Sequence, residues 1–193
     1  WHPYTGADMR NEGNSVQKLR LRLSAYDIKL VVEFYPWKRA QKISKSKEYI
    51  GYFPAWPEEV YAGFIASPTI DWSEIGILKL KKKQVTYSTV EQLFEDYRVG
   101  IISTYTYPSL IQQAIRKNSY RVSKATSEML LLKKLYAGRH DVAITDPLVM
   151  EYLSHKHGFE GIETLAVIQR TPLVIALRDQ KDNQPIIQKL NQI

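Results

Sequence analysis

The sequence predicts an α/β fold built on a mainly parallel sheet, and the stretch between residues 98 and 153 carries that prediction. A short apolar run at 99–102 precedes a polar, aromatic turn, and a helical pattern begins at Pro108. A second helical pattern ends at Gly138, since glycine suits the left-handed position after a helix. A further apolar run at 141–145 leads into a third helical pattern. Strands that alternate with helices in this way are typical of parallel α/β sheets.

Two strand ends in this stretch are predicted to form a binding edge. In parallel α/β sheets, ligands bind at the carboxyl ends of the strands, close to the N-termini of the following helices. The two ends are the turn at 103–107 and the pair Thr145-Asp146. We therefore expect ligand contacts at both.

The other elements are predicted from apolar periodicity and from the positions of proline and glycine. Their order indicates two lobes, residues 82–170 and residues 1–81 with 171–193, so that the chain crosses between them twice. The elements are a loop at 1–6, a helix at 15–26, a strand at 28–34, a helix from Pro36, a strand at 49–53, a loop at 54–57, a strand at 76–80, a helix at 90–97, a helix capped by Thr126, a loop with a short strand after Gly158, a strand at 172–177 and a helix at 185–190.

Composition excludes several classes of protein. The chain of 193 residues contains no cysteine, which excludes disulfides, metal–thiolate sites and cysteine nucleophiles and fits an oxidising compartment. The net charge of +7 is scattered and forms no aromatic-interleaved basic stripe, so nucleic acid is not an expected partner. No apolar run approaches the roughly 18 residues of a membrane helix. The chain begins with Trp1 and has no visible signal peptide, so we expect a mature or trimmed chain.

Several short motifs, taken in order, resemble family 3 extracytoplasmic solute-binding proteins, which have the type II periplasmic binding fold of ABC importers. The resemblance implies two α/β lobes, each with a mainly parallel sheet flanked by helices, joined by a two-strand hinge and closing on a small polar ligand. The motifs are Pro3-Tyr4, the sequence YPWKRA at 35–40, GYFP at 51–54, PEE at 57–59, FIASP at 64–68, VGI at 99–101 and GRHDVAITD at 138–146.

The chain departs from that family in two places. Family members begin with a strand inside the first lobe's sheet, before the Pro-Tyr turn, and this sequence starts after it. We therefore expect a segment before Trp1 in the native gene product. In amino-acid-binding members, an arginine follows the Pro-Glu pair and holds the α-carboxylate of the ligand. The matching position here is Glu59, which favours a cationic or uncharged polar ligand over a common α-amino acid.

The candidate ligand-binding residues follow from the resemblance and from the location rule. The resemblance places Asp146 where amino-acid binders hold the ammonium group, although an Asp-Pro pair also suits the start of a helix. Arg39 is a candidate partner for a ligand carboxylate, and a solvated or ion-paired arginine is its alternative. The other candidates are Tyr105, Thr106 and Tyr107 in the turn, of which Thr106 is also a candidate helix cap, and the aromatic residues Tyr4, Trp37, Phe53 and Trp56, which also suit a core.

The predicted function is extracytoplasmic binding of a small polar solute in the cleft between the lobes, for delivery to an ABC permease in the membrane. We expect a periplasmic monomer without cofactor or metal, closed by its ligand through a hinge. The alternatives are a sensor domain of the same fold, the effector domain of a cytoplasmic regulator, and a dehydratase-like enzyme. Catalysis is not expected, because the sequence has no phosphate loop, no nucleophile elbow and no metal-ligand spacing among its four histidines.

Overall fold

The computed structural model describes residues 1–192, and its contacts divide the chain into two compact units. Unit 1 comprises Trp1–Ser73 and Thr171–Ile193, and unit 2 comprises Glu74–Arg170. The chain passes from one unit to the other within two long strands, β3 (Asp71–Leu80) and β7 (Ile162–Arg178). That these units are lobes of a hinged protein stays a prediction of the sequence.

In unit 1, the carboxyl-terminal part of β7 is paired with two short strands. These are β1 (Gly51–Ala55) and β2 (Phe64–Ala66), and both run antiparallel to β7. The prediction of a mainly parallel sheet is therefore wrong for these pairs. The other elements of unit 1 are the helices α1 (Asn14–Ser24), α2 (Trp37–Ile43) and α7 (Gln184–Leu190) and the first residues of β3.

The core of unit 1 lies on both faces of β7, since successive side chains of a strand point to opposite faces. Ile175 and Leu177 pack with α1 and α7, and Val174 and Ala176 pack with buried Tyr52 and half-buried Trp37 on the other face. Both faces are thus covered by helices, as in the layered α/β architecture that the sequence predicts.

Three local predictions outside the stretch 98–153 are wrong. Residues 28–34 form no regular strand. Pro54 lies inside β1 rather than in a loop, because the register of β1 shifts between Tyr52 and Ala55 and so accommodates a residue without an N–H group. The stretch at 162–178 is one continuous strand and not a loop with two short strands.

Unit 2 has the predicted alternation of strands and helices. Strand β4 (Val99–Ile102) runs parallel to β5 (Val122–Ala125) and to β6 (Val142–Thr145), and β6 is antiparallel to β3. Gly138 has a φ of 65° after α5, as predicted. The cap of that helix is Ser127, whose side chain accepts from the backbone N–H of Leu130, and not Thr126. The helices are α3 (Val90–Asp96), α4 (Ser109–Lys117), α5 (Glu128–Tyr136) and α6 (Pro147–Lys156).

No helix among residues 1–192 combines the length and the apolar character required to cross a membrane.

Candidate functional site

The carboxyl ends of β4, β5 and β6 lie at one edge of the sheet of unit 2. Ile101 pairs with Ile144, and Ile102 pairs with Ala125, in parallel register. The turn after β4 and the residue after β6 therefore come to the same edge, as the sequence predicts. The start of α5, which follows β5, comes to this edge as well. We call this edge the unit 2 edge.

Asp146 is completely buried at the unit 2 edge and caps α6. Its Oδ1 accepts hydrogen bonds from the backbone N–H groups of Leu148 (2.9 Å) and Val149 (3.1 Å), and its Oδ2 accepts one from Glu74 N at 3.3 Å. A carboxylate at a helix N-terminus also interacts favourably with the helix dipole. The capping role is confirmed, and contact between Asp146 and a ligand stays a prediction.

The side chain of Tyr107 connects the carboxyl ends of β4 and β6. Its side-chain hydroxyl accepts from Ile102 N and donates to the carbonyl of Ile144, both at 2.9 Å, and the residue is only 5% exposed. The bridge continues the ladder one position past the pair of Ile101 and Ile144. Burial raises the pKa of this phenol, so it stays protonated. The hydroxyl of Tyr107 therefore fixes the start of the turn, whether or not the ring of Tyr107 contacts a ligand.

Tyr105 and Glu128 form a second polar pair at the unit 2 edge. The hydroxyl of Tyr105 donates to Glu128 Oε1 at 2.6 Å. The pKa of Tyr105 lies well above its ordinary value, first because of burial and then because of the negative charges of Glu128 and Asp146. Sequence reasoning missed Glu128. The signal was available, since Ser127-Glu128 is a typical helix start and follows the end of a strand.

Thr106 lies half-buried in the same turn but does not cap α4. The cap position of α4 is occupied by Pro108, which has no side-chain hydrogen bond to the helix. The alternative role that the sequence offered for Thr106 is therefore wrong, and its contact with a ligand stays a prediction.

In unit 1, two of the predicted aromatic residues lie against Trp1. The ring of Trp1 stacks on Tyr4, with centroids 4.5 Å apart, and meets Trp56 edge-on at 6.5 Å. Tyr4 and Trp56 are each 4% exposed, and the indole N–H of Trp56 donates to Ser73 Oγ at 2.8 Å. The sequence offered no signal for Trp1 beyond its aromatic character.

Glu59 connects two of the predicted aromatic residues. Its Oε1 accepts from the indole N–H of Trp37 at 3.1 Å, and its Oε2 accepts from the backbone N–H of Trp56 at 3.3 Å. Burial raises the pKa of this carboxyl group, whereas the two hydrogen bonds lower it. Glu59 thus holds a short 3₁₀ turn in place, a role that the sequence did not predict.

The remaining two candidates of unit 1 do not join this group. Phe53 packs with the cluster that contains Leu19 and Leu177, on the opposite face of β1 from Trp37. Arg39 is exposed on α2, with its guanidinium 5.3 Å from the centroid of the Tyr35 ring. Contact between Arg39 and a ligand carboxylate stays a prediction.

Comparison with known proteins gives a structural likeness without a sequence match. No family model matches the chain, and no curated protein matches it. The chain is similar to an ancestral arginine-binding protein bound to arginine, with a TM-score of 0.77 at 16% identity over 100% of this chain and 85% of that one. It is also similar to a histidine kinase sensor domain that itself resembles periplasmic binding proteins (TM-score 0.73, 14% identity, covering 100% and 83%).

A third similar structure is the GluR0 ligand-binding core in complex with L-glutamate, with a TM-score of 0.74 at 13% identity over 99% of this chain and 85% of that one. At such identities the likeness establishes the fold alone. The chain therefore has the α/β fold of the periplasmic-binding type over its whole length.

Proposed function

We propose that this chain is a ligand-binding protein of the periplasmic-binding type and that the unit 2 edge holds the cationic group of a small polar solute. The observation that carries the proposal is the convergence of Tyr105, Glu128 and Asp146 at three neighbouring strand ends. Ligands of open α/β sheets bind at such ends. Tyr107 and Thr106 are the further ligand contacts that we propose there.

The charge of the unit 2 edge favours a cation. Glu128 and Asp146 both act on Tyr105 through their negative charges. Carboxylates and aromatic faces attract ammonium and guanidinium groups, whereas they repel a carboxylate. The preferred ligand is therefore a compound with a positive group, and common α-amino acids are not its first choice. Arginine is an informative test ligand because it carries a guanidinium group as well as the α-ammonium and α-carboxylate groups, and an arginine-binding protein is among the similar structures.

The proposed biological role is delivery of the solute to an ABC permease outside the cytoplasm. The sensor alternative has a specific observation in its favour, because the histidine kinase sensor domain is nearly as similar in structure as the GluR0 ligand-binding core, with TM-scores of 0.73 and 0.74. Closure of two lobes on the solute, with Tyr4, Trp37, Phe53 and Trp56 as contacts, stays a prediction from the sequence. Transport of the labelled solute by cells with and without the gene separates delivery from sensing.

The test is a binding screen followed by calorimetry on matched variants. Arginine, a polyamine, a quaternary amine, glutamate and a neutral sugar are tested by thermal shift, since a ligand at 100 times its Kd adds about 2.7 kcal/mol of stability. We expect the cations to raise the melting temperature and glutamate to leave it unchanged.

Glu128→Gln should then weaken binding of the best cation about tenfold or more, because it removes one of the two charges. The control is Glu151→Gln, which removes an exposed carboxylate from α6 and should leave the affinity unchanged. A chain that binds glutamate best, or an unchanged affinity in Glu128→Gln, would contradict the proposal.

A further inference from the structure

The basic residues of unit 2 gather at the end of its sheet that lies opposite the unit 2 edge. Strands β4, β5 and β6 start in register, because Val99 pairs with both Val122 and Val142. The residues just before these strands therefore lie at one end of the sheet, which we call the unit 2 base. The helices that connect parallel strands run back to this end, so their last turns come to the unit 2 base as well.

Strand β3 brings a further segment to the unit 2 base. It runs antiparallel to β6, and Lys79 pairs with Val142, so the three lysines that follow β3 lie beyond the start of β6. Lys83 Nζ is 2.8 Å from Asp141 Oδ1, and the guanidinium of Arg98 is 3.4 Å from the same oxygen. Segments that are far apart in the sequence thus meet at this end.

Basic residues at the unit 2 base outnumber acidic ones by more than two to one. The basic residues are Lys81, Lys82, Lys83, Arg98, Arg116, Lys117, Arg121, Lys133, Lys134, Arg139 and Lys156, and the acidic ones are Glu95, Asp96, Asp141 and Glu160. By contrast, the segments 103–110, 126–130 and 145–149 at the unit 2 edge contain no lysine or arginine but include Glu128 and Asp146. Cations that are scattered along the sequence are therefore gathered by the fold at one end of unit 2.

The ends of the helices explain only part of this charge. Cations in the last turn of a helix interact favourably with its dipole, and Arg116 and Lys117 occupy such a turn in α4. Arg98 and the lysines at 81–83 flank strands instead. Among residues 1–192, Arg116, Lys117 and Arg139 form no ion pair, and all three are exposed. Their charges are therefore available to an anionic partner.

An exposed aromatic side chain lies among these cations. Tyr120 is 77% exposed in the 3₁₀ turn between α4 and β5, and the guanidinium of Arg121 lies 5.6 Å from the centroid of its ring. Packing within unit 2 does not account for a ring that is so exposed. The interface between a bilayer and water favours tyrosine, because its ring is apolar and its hydroxyl is polar.

We propose that the unit 2 base binds the anionic headgroups of a lipid bilayer. Each lysine or arginine near such a surface increases the affinity roughly fivefold, and Tyr120 adds a ring for the headgroup layer. A bilayer is favoured over nucleic acid because Tyr120 is the one exposed aromatic residue among the described residues of unit 2, whereas single-stranded nucleic acid stacks on several rings along a groove.

The orientation that follows keeps the ligand site free. Because the unit 2 base lies at the opposite end of the strands from Glu128 and Asp146, the unit 2 edge points away from the bilayer. The proposal does not depend on the ligand that the unit 2 edge holds, so the two proposals fail or succeed separately.

The first test measures binding of the 193-residue chain to sedimented vesicles in about 0.1 M salt, where charges act over about 10 Å. The probe is vesicles of phosphatidylglycerol and phosphatidylcholine in equal parts, and vesicles of phosphatidylcholine alone are the control. The variant Lys117→Gln/Arg139→Gln should bind the anionic vesicles about tenfold or more weakly. Its matched control is Lys45→Gln/Lys47→Gln, which removes two exposed cations from unit 1 and gives the chain the same net charge.

Three outcomes of this test would overturn the proposal. The first is equal binding to the anionic and the neutral vesicles, and the second is an equal loss of affinity in the two variants, which would attribute binding to net charge alone. The third is tighter binding to a duplex oligonucleotide or to polyglutamate than to the anionic vesicles, which would assign the unit 2 base to another polyanion.

The second test asks which end of unit 2 meets the bilayer. Because the chain contains no cysteine, one introduced cysteine carries a fluorescent dye at a single site. Ser119 and Thr126 are both exposed and lie before and after β5, at the unit 2 base and at the unit 2 edge. A quencher attached to the lipid should reduce the fluorescence of labelled Ser119→Cys and leave that of labelled Thr126→Cys unchanged. Equal quenching at the two sites, or quenching at Thr126→Cys alone, would contradict the proposed orientation and overturn the proposal.

Discussion

Replacement of Tyr107 by phenylalanine tests whether this residue fixes the unit 2 edge through its hydroxyl. The substitution keeps the ring and removes the oxygen that accepts from Ile102 N and donates to Ile144 O. Both backbone groups then lose this partner at a site where the side chain of Tyr107 is only 5% exposed, so water does not readily replace it. A buried polar group without a partner costs about 1–3 kcal/mol. Tyr107→Phe should therefore lower the free energy of unfolding by about 2–4 kcal/mol.

The assay is urea denaturation followed by tryptophan fluorescence, in which a lower midpoint at an unchanged slope reports a loss of stability. Tyr105→Phe is the matched control, because its hydroxyl also makes a short hydrogen bond, but to the half-buried side chain of Glu128. We expect Tyr105→Phe to cost about 1 kcal/mol or less and to weaken ligand binding instead. Equal losses in the two variants would refute the bridging role of Tyr107.

The remaining predictions concern pH and the helix cap. Burial holds the pKa of His140 at about 4, below its ordinary 6.5, so the unfolded chain binds the extra proton between those values. The contribution of His140 to the free energy of unfolding should thus be complete above pH 6.5 and fall by about 3 kcal/mol towards pH 4. His140→Gln should remove this dependence, as measured by urea titrations at each pH. An unchanged profile would contradict this, since the lowered pKa of Asp141, about 2, acts only at lower pH. Asp146→Asn should keep the α6 cap and most of the melting temperature, but weaken binding of a cation about tenfold. Asp146→Ala should weaken binding as well and also lower the free energy of unfolding by about 1 kcal/mol, because it removes the cap. Unchanged affinity in both variants would leave Asp146 as a cap alone.

The elements of unit 2 were predictable because their signals are local. Apolar runs of four residues, glycine after a helix and an Asp-Pro pair at a helix start each act within a few residues of the chain. The parallel register of β4 with β6 then follows from the alternation of strands and helices, and it brings the turn at 103–107 to Asp146. Glu128 was missed although Ser127-Glu128 is a typical helix start, because the strand before it, β5, contains the polar residues Ser123 and Lys124 and has no apolar run to mark it.

The errors in unit 1 arise where structure depends on a distant partner. Residues 28–34 have the composition of a strand, but a strand is defined by backbone hydrogen bonds to another strand, and residues 29–34 make no backbone hydrogen bond to another residue within 1–192. Pro54 is tolerated inside β1 because the register shift beside it removes the need for its missing N–H group. Neither the hydrogen-bonding partners of a segment nor a register shift is encoded within the few residues that a sequence pattern covers.

The contacts at the unit 2 edge also change which carboxylate is the better partner for a ligand. The resemblance favours Asp146, yet both oxygens of Asp146 accept hydrogen bonds from backbone N–H groups that belong to α6 and β3. Glu128 Oε1 accepts from the phenol of Tyr105, a side chain that can rotate away when a stronger donor arrives. An ammonium or guanidinium group is such a donor, because its positive charge adds an attraction to the carboxylate that the neutral phenol lacks. We therefore expect a cationic ligand to displace the phenol of Tyr105 from Glu128, while Asp146 and Tyr107 hold the edge in place.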